Sequence, residues 1–117
     1  MNKYDELVQR FINGQPIHQM AARMILLAVQ EEAIEALADA YYAGVNEAQG
    51  KQILAMLGEI GGYEALNILR DVFQYEPSQS LKLGAVEALI RNAEVLSLEE
   101  KLALKDFLES LNENGNL

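Results

Sequence analysis

The chain contains no cysteine and no tryptophan, and only one histidine and two prolines among its 117 residues. Without cysteine there is no disulfide framework, thiolate metal site, cysteine nucleophile or thiol-linked cofactor. The single histidine, His18, leaves only carboxylates as further metal ligands, and neither a metal nor a cofactor is expected. Bases are scarce too. Nine Lys and Arg against eighteen Asp and Glu give a formal net charge of −9. Phosphate backbones and anionic lipid heads repel such a chain, which argues against nucleic-acid and membrane partners. The longest wholly apolar run, Met24 to Val29, is far shorter than the ~20 residues of a membrane-spanning helix. The opening Met1-Asn2-Lys3-Tyr4-Asp5-Glu6 lacks the apolar stretch of a secretion signal, so a cytoplasmic location is expected.

Half of the chain is hydrophobic, enough for the core of one domain of this length. Apolar residues recur at helical spacing, and no segment alternates as a strand would. Tyr4, Leu7, Val8, Phe11 and Ile12 form one stripe, stopped by Asn13-Gly14. Pro16 suits the first turn of a second helix reaching Val29. A third helix is expected over Gln30 to Ala43, ended by Gly44. Asn46 is a good N-cap for a fourth, ended by Gly61-Gly62. A fifth runs from Tyr63 to Tyr75, where Glu76-Pro77 forbids continuation. Ser78 caps a sixth reaching Asn92, and Ser97-Leu98-Glu99-Glu100 matches a capping box opening a seventh through Leu111. Residues 112–117 read as a frayed tail.

Sliding the chain along itself reveals a repeat of 32 residues. Ile25, Leu57 and Leu89 fall in register, as do Ala22, Leu54 and Val86; in the alternate helices Ala33 meets Ala65 and Leu37 meets Leu69. A core-facing stripe that recurs once per helix pair is what a stacked array requires. The pairs are 1–29, 30–61 and 62–94, with 95–111 as a C-terminal capping helix. The expected fold is therefore all-α: a short α-solenoid of about three helix pairs plus the cap, seven helices in a single domain.

Two segments carry a family resemblance. Ala55-Met56-Leu57-Gly58-Glu59-Ile60-Gly61-Gly62-Tyr63-Glu64-Ala65-Leu66 resembles the A-x-A-L-G-x-I-G-D-x-x-A-L pattern of the HEAT-like repeats named after phycobilisome (bilin) lyases. Leu81-Lys82-Leu83-Gly84-Ala85-Val86-Glu87-Ala88-Leu89 resembles that family's V-R-x-x-A-A-x-A-L helix, with Lys82 at the basic position. Gly62 replaces the pattern's Asp, and the first copy, Ile17 to Leu26, has His18 at the basic position and no Leu-Gly. The resemblance implies a HEAT-type stack whose even-numbered helices line a concave face. It also implies a phycobilisome-associated role, with a phycobiliprotein or a lyase chain as partner.

On that face the repeat places Gln19, Lys51 and Leu83 in one column, Arg23 and Glu87 in a second, and Leu27, Glu59 and Arg91 in a third. Mixed charge with apolar Leu suits a protein-binding strip better than a small-molecule pocket. A non-catalytic scaffold that binds another protein is the expected function. The alternative is a bilin lyase or isomerase subunit acting with a partner chain, in which Glu59, Glu87 and Tyr63 would protonate or position a tetrapyrrole. No catalytic residue stands out, since His18 has no orienting neighbour. Glu31, Glu35 and Asp39 share a face at helical spacing and read as solvated surface. Residues 31–76 carry nine acids and two bases, a local charge of −7. Gly58, Gly61 and Gly62 follow a helix rather than a strand, so they end a helix and do not cradle phosphate. The stripe of Tyr4, Leu7 and Phe11 is a candidate for pairing across a homodimer axis.

Overall fold

Side-chain caps set the start of three of the helices, and proline and glycine punctuate others. The computed structural model describes residues 2–113, and among them there are seven α-helices and no strand. Helix α1 spans Asp5–Asn13 and α2 spans Pro16–Val29, with Pro16 at the expected first position. Asn46 caps α4 (Glu47–Ile60), its side chain accepting from the Gln49 amide while Gln49 reaches back to the Asn46 amide. Ser78 caps α6 (Gln79–Arg91), and Ser97 and Glu100 form the reciprocal box that opens α7 (Leu98–Glu113). Each cap satisfies amides that would otherwise stay unpaired and contributes about 1 kcal/mol. Helix α5 (Gly62–Tyr75) begins at a junction where Gly61 and Gly62 both adopt positive φ, 67° and 83°. Only glycine enters that region without cost, so the pair makes a turn no L-residue would make cheaply.

Two boundaries depart from expectation. The third helix does not begin in α form: Gln30–Ala33 is a 3-10 turn, and α3 spans Ile34–Ala43. No glycine lies between α2 and α3, so Gln30 itself takes φ 52° to turn the chain. Helix α7 continues to Glu113, so Asn112 and Glu113 are helical and not frayed. The rest of the expected tail, 114–117, lies outside the described residues.

The helices form two rows, α1–α3–α5 and α2–α4–α6, with α4 between α2 and α6. The radius of gyration, 14.3 Å, is a little above the ~13 Å of an ordinary domain of this length, and the extents of 40 × 28 × 23 Å show one long axis. Between the rows lie Val8, Leu26, Ile34, Leu37, Ile53, Leu57, Leu69 and Val86, essentially without exposure. Each such side chain contributes roughly 1.5–3 kcal/mol by leaving water.

Spacing within the α2–α4–α6 row is uneven, and the repeat columns explain why. Helices α4 and α6 lie close along most of their length. A Cβ placed on Gly58 would stand 2.7 Å from the Ala88 Cβ, and one on Gly84 would stand 3.3 Å from a Leu54 methyl. Small residues thus let the two backbones approach. One repeat earlier the same columns hold Leu26 for Gly58, Met56 for Ala88 and Gln52 for Gly84. Those larger side chains hold α2 and α4 apart, so they meet over a shorter length.

Helix α7 is fastened chiefly to α5. Arg70 forms a two-pronged ion pair with Glu100 (2.6 and 3.4 Å), and Phe73 meets Phe107 edge to face at 5.7 Å. Lys82, at the repeat's basic position, sits over both rings at 5.8 and 5.7 Å. The Glu100 carboxyl is held below its usual range, first by the Arg70 hydrogen bond and then by the Ser97 amide.

Candidate functional site

The expected contact residues converge on the α2–α4–α6 row. Glu59 on α4 accepts from Arg23 of α2 at 2.5 Å and from Arg91 of α6 at 3.4 Å. One carboxylate therefore bridges all three helices. It is 22% exposed, whereas Arg23 and Arg91 are 48% and 59% exposed. Exposed ion pairs contribute only ~0–1 kcal/mol, so either guanidinium can turn to another carboxylate at little cost. Two cations share one anion, leaving a surplus positive charge at the centre of the face.

A cleft opens on each side of α4. The cleft toward α2 holds about 360 Å³ and is lined by Gln19, Met20, Arg23, Gln52, Ala55, Met56 and Glu59, with Phe11 and Pro16 closing one end. The cleft toward α6 holds about 350 Å³ and is lined by Lys51, Ala55, Gly84, Glu87, Ala88 and Arg91. Ala55 belongs to both, so the two form one surface interrupted by a low ridge. Of the eight expected residues, Gln19, Arg23 and Glu59 line the first cleft, and Lys51, Glu87 and Arg91 the second. Leu27 and Leu83 are half-buried and line neither; Leu27 packs against the core. Met20 and Gln52 were missed, as was buried Met56, which forms part of the cleft floor. Their signal was present: the Met20–Gln52–Gly84 and Met24–Met56–Ala88 columns shrink along the repeat, which marks the wider gap at the α2 end.

Charge is divided between the rows. Helices α2, α4 and α6 carry four bases (Arg23, Lys51, Lys82, Arg91) and three acids (Glu47, Glu59, Glu87). Helices α1, α3, α5 and α7, with the 3-10 turn at Gln30–Ala33, carry four bases and thirteen acids. The α2–α4–α6 row is thus close to neutral in a strongly acidic protein.

The remaining sequence candidates lie elsewhere. His18 is exposed on α2. Glu31 sits in the 3-10 turn and Glu35 and Asp39 on α3, and all three are exposed, as a solvated surface requires. Among the described residues no group of three or more His, Cys, Asp or Glu side chains is placed to hold a metal ion. Glu59, Glu87 and Tyr63 line three different clefts. The Tyr4, Leu7 and Phe11 stripe packs against the core, Phe11 fully and the others in part; Tyr4 also donates to Glu32 at 2.7 Å. Tyr41 is buried and donates to Glu76. Burial, with that bond second, pushes its phenol well above the usual range. Tyr42 and Tyr75 are exposed.

Comparison with protein-family models, with curated proteins and with solved structures found no match. No helix among the described residues is long and apolar enough to cross a membrane.

Proposed function

We propose that this chain is a non-catalytic, cytoplasmic scaffold that binds another protein along its α2–α4–α6 face. The observation that carries this reading is Glu59 shared between Arg23 and Arg91, flanked by the two clefts that meet at Ala55. Each cleft lies near the low end of the ~300–1,000 Å³ range of ligand pockets and is open at its side, which suits one or two inserted side chains better than an enclosed small molecule. Met20 supplies adaptable apolar contact over a floor formed by buried Met56, Gln19 and Gln52 supply hydrogen bonds to a backbone, and the two arginines supply partners for carboxylates. The partner is then a protein segment with an apolar side chain near acidic ones.

The resemblance of residues 55–66 and 81–89 to phycobilisome-lyase repeats makes phycobiliproteins the first partners to try. The bilin-lyase alternative has less support, because its three candidate groups do not share a cleft. The test is capture of partners from the native host, repeated with Arg23→Glu and Arg91→Glu. Loss of the same partner in both variants is the expected result. Retention in both would remove the face from consideration, and an absorbance shift on mixing with free bilin would favour the enzymatic reading instead.

A further inference from the structure

Helix α2 turns an apolar stripe outward on the side facing away from the core. Ile17, Met20 and Met24 are 72%, 72% and 68% exposed, and Ile25 is 42% exposed. The repeat says what these positions do elsewhere. Two repeats later the columns of Ile17, Met20 and Met24 hold Leu81, Gly84 and Ala88, while that of Ile25, at the stripe's edge, holds Leu89, which lines a cleft with α5 and α7 residues. Leu81, Gly84 and Ala88 are the residues that α6 presents to α4, against Gly50, Leu54 and Gly58. The outward stripe of α2 is therefore the face that, in the rest of the row, is covered by a neighbouring helix.

We propose that a second copy of this chain covers it, α2 packing against α2 of the other copy about a two-fold axis. Area supports that occupant. At about 200 Å² per residue, the four residues expose about 500 Å² per copy, so an isologous pair that covers them completely buries about 1,000 Å², the lower bound for a specific interface. Charge supports it as well. Two chains of net charge −9 repel wherever their carboxylates meet, and α2 contains no Asp or Glu at all. It is the one helix along which two copies approach without opposing acids. Ala21 lies in the middle of the stripe, so an antiparallel crossing there sets Ile17 of one copy against Met24 and Ile25 of the other. This surface is distinct from the α4-facing flank of α2 used in the proposed partner face, although Met20 borders both.

The test is sedimentation equilibrium of the purified chain across micromolar to millimolar concentration. The expected result is a micromolar dimer of twice the 13.0 kDa monomer mass, with dissociation raised about 100-fold or more by Met24→Glu or Ile17→Glu, because each places like charges opposite one another at the axis. Arg91→Glu, on α6, should leave the dimer intact while removing the proposed partner contact, which separates the two surfaces. Both stripe positions are exposed, so circular dichroism should show unchanged helicity. If either Glu variant does unfold, Met20→Ser with Met24→Ser gives the same reading without adding charge. A monomer at millimolar concentration, or a dimer indifferent to the folded stripe variants, would overturn the proposal.

Discussion

Two glycines in the α4–α6 contact should respond to the same substitution with opposite signs. Both Gly58 and Gly84 lie inside helices, where glycine is about 1 kcal/mol worse than alanine by propensity. On propensity alone, Gly58→Ala and Gly84→Ala both stabilise. The structure separates them. A methyl on Gly58 would stand 2.7 Å from the Ala88 Cβ and 3.0 Å from its Cα. The second of these is backbone and cannot move without shifting α6 as a body. Overpacking of that kind costs about 1–3 kcal/mol, which outweighs the propensity gain and leaves a net loss near 1 kcal/mol.

A methyl on Gly84 meets only a Leu54 methyl at 3.3 Å and Lys51 Cγ at 3.8 Å. A side-chain terminus yields by a few tenths of an ångström, so the propensity gain survives at about 0.5–1 kcal/mol. With an unfolding entropy of ~2.1 cal/mol/K per residue, 1 kcal/mol moves the Tm of a 117-residue domain by about 4 °C. Thermal unfolding followed by circular dichroism should place Gly58→Ala about 4 °C below wild type and Gly84→Ala about 2–4 °C above it. Equal gains in both variants would refute the claim that close backbone approach, permitted by small residues, sets the spacing of the α2–α4–α6 row.

Gln30→Gly should raise stability by about 1 kcal/mol, since φ 52° is costly for a side-chain-bearing residue and the relieved strain of ~1–3 kcal/mol exceeds the entropy glycine adds to the unfolded chain; an unchanged midpoint in urea would sink this. Glu100 has a folded pKa below its usual 4.5, so between the two values the unfolded state binds more protons and stability falls as pH falls. The Glu100→Gln variant should be less stable near neutral pH, with the gap to wild type closing as the pH drops below about 4.5; a constant gap would count against the Arg70 attachment of α7. Because copies of net charge −9 repel over a Debye length of ~10 Å at 0.1 M salt, the proposed dimer should tighten as salt is raised from 50 to about 500 mM by order of magnitude, whereas a salt-weakened dimer would point to interfacial ion pairs.

What was legible in the sequence was local or repeated. Asn46, Ser78 and Ser97 announce their helices because a cap is a contact between residues three apart, fully encoded in a short window. The row is legible because residues 32 apart carry the same chemistry, and this placed Arg23, Glu59 and Arg91 on one surface. The junction after Val29 was not legible. Nothing in Gln30-Glu31-Glu32-Ala33 excludes an α-helix, and the 3-10 turn lies against α2, α3 and α5, contacts that no short window of sequence encodes. The fate of the N-terminal stripe was hidden for a related reason. Periodicity showed that Tyr4, Leu7 and Phe11 share a face, but not that α2 and α3 would occupy it. The outward stripe of α2 was likewise not legible, because Met24 to Val29 is apolar all round and its composition does not say which side the core takes.

The division of charge between the rows does not follow from the two-row geometry. A helix in either row has one flank in the core and one in water, so core burial alone favours acids in neither. Solubility asks only that acids be somewhere on the surface, yet they gather on α1, α3, α5, α7 and the 3-10 turn, while α2, α4 and α6 balance three against four bases. Had solubility been the whole constraint, Met20, Met24 and Ile17 would be cheap positions to replace with glutamate, since they are exposed and do not contribute to the core. Keeping them apolar, on the one helix without a carboxylate and in the columns used between helices elsewhere in the row, has a physical benefit only if something comes to lie against them.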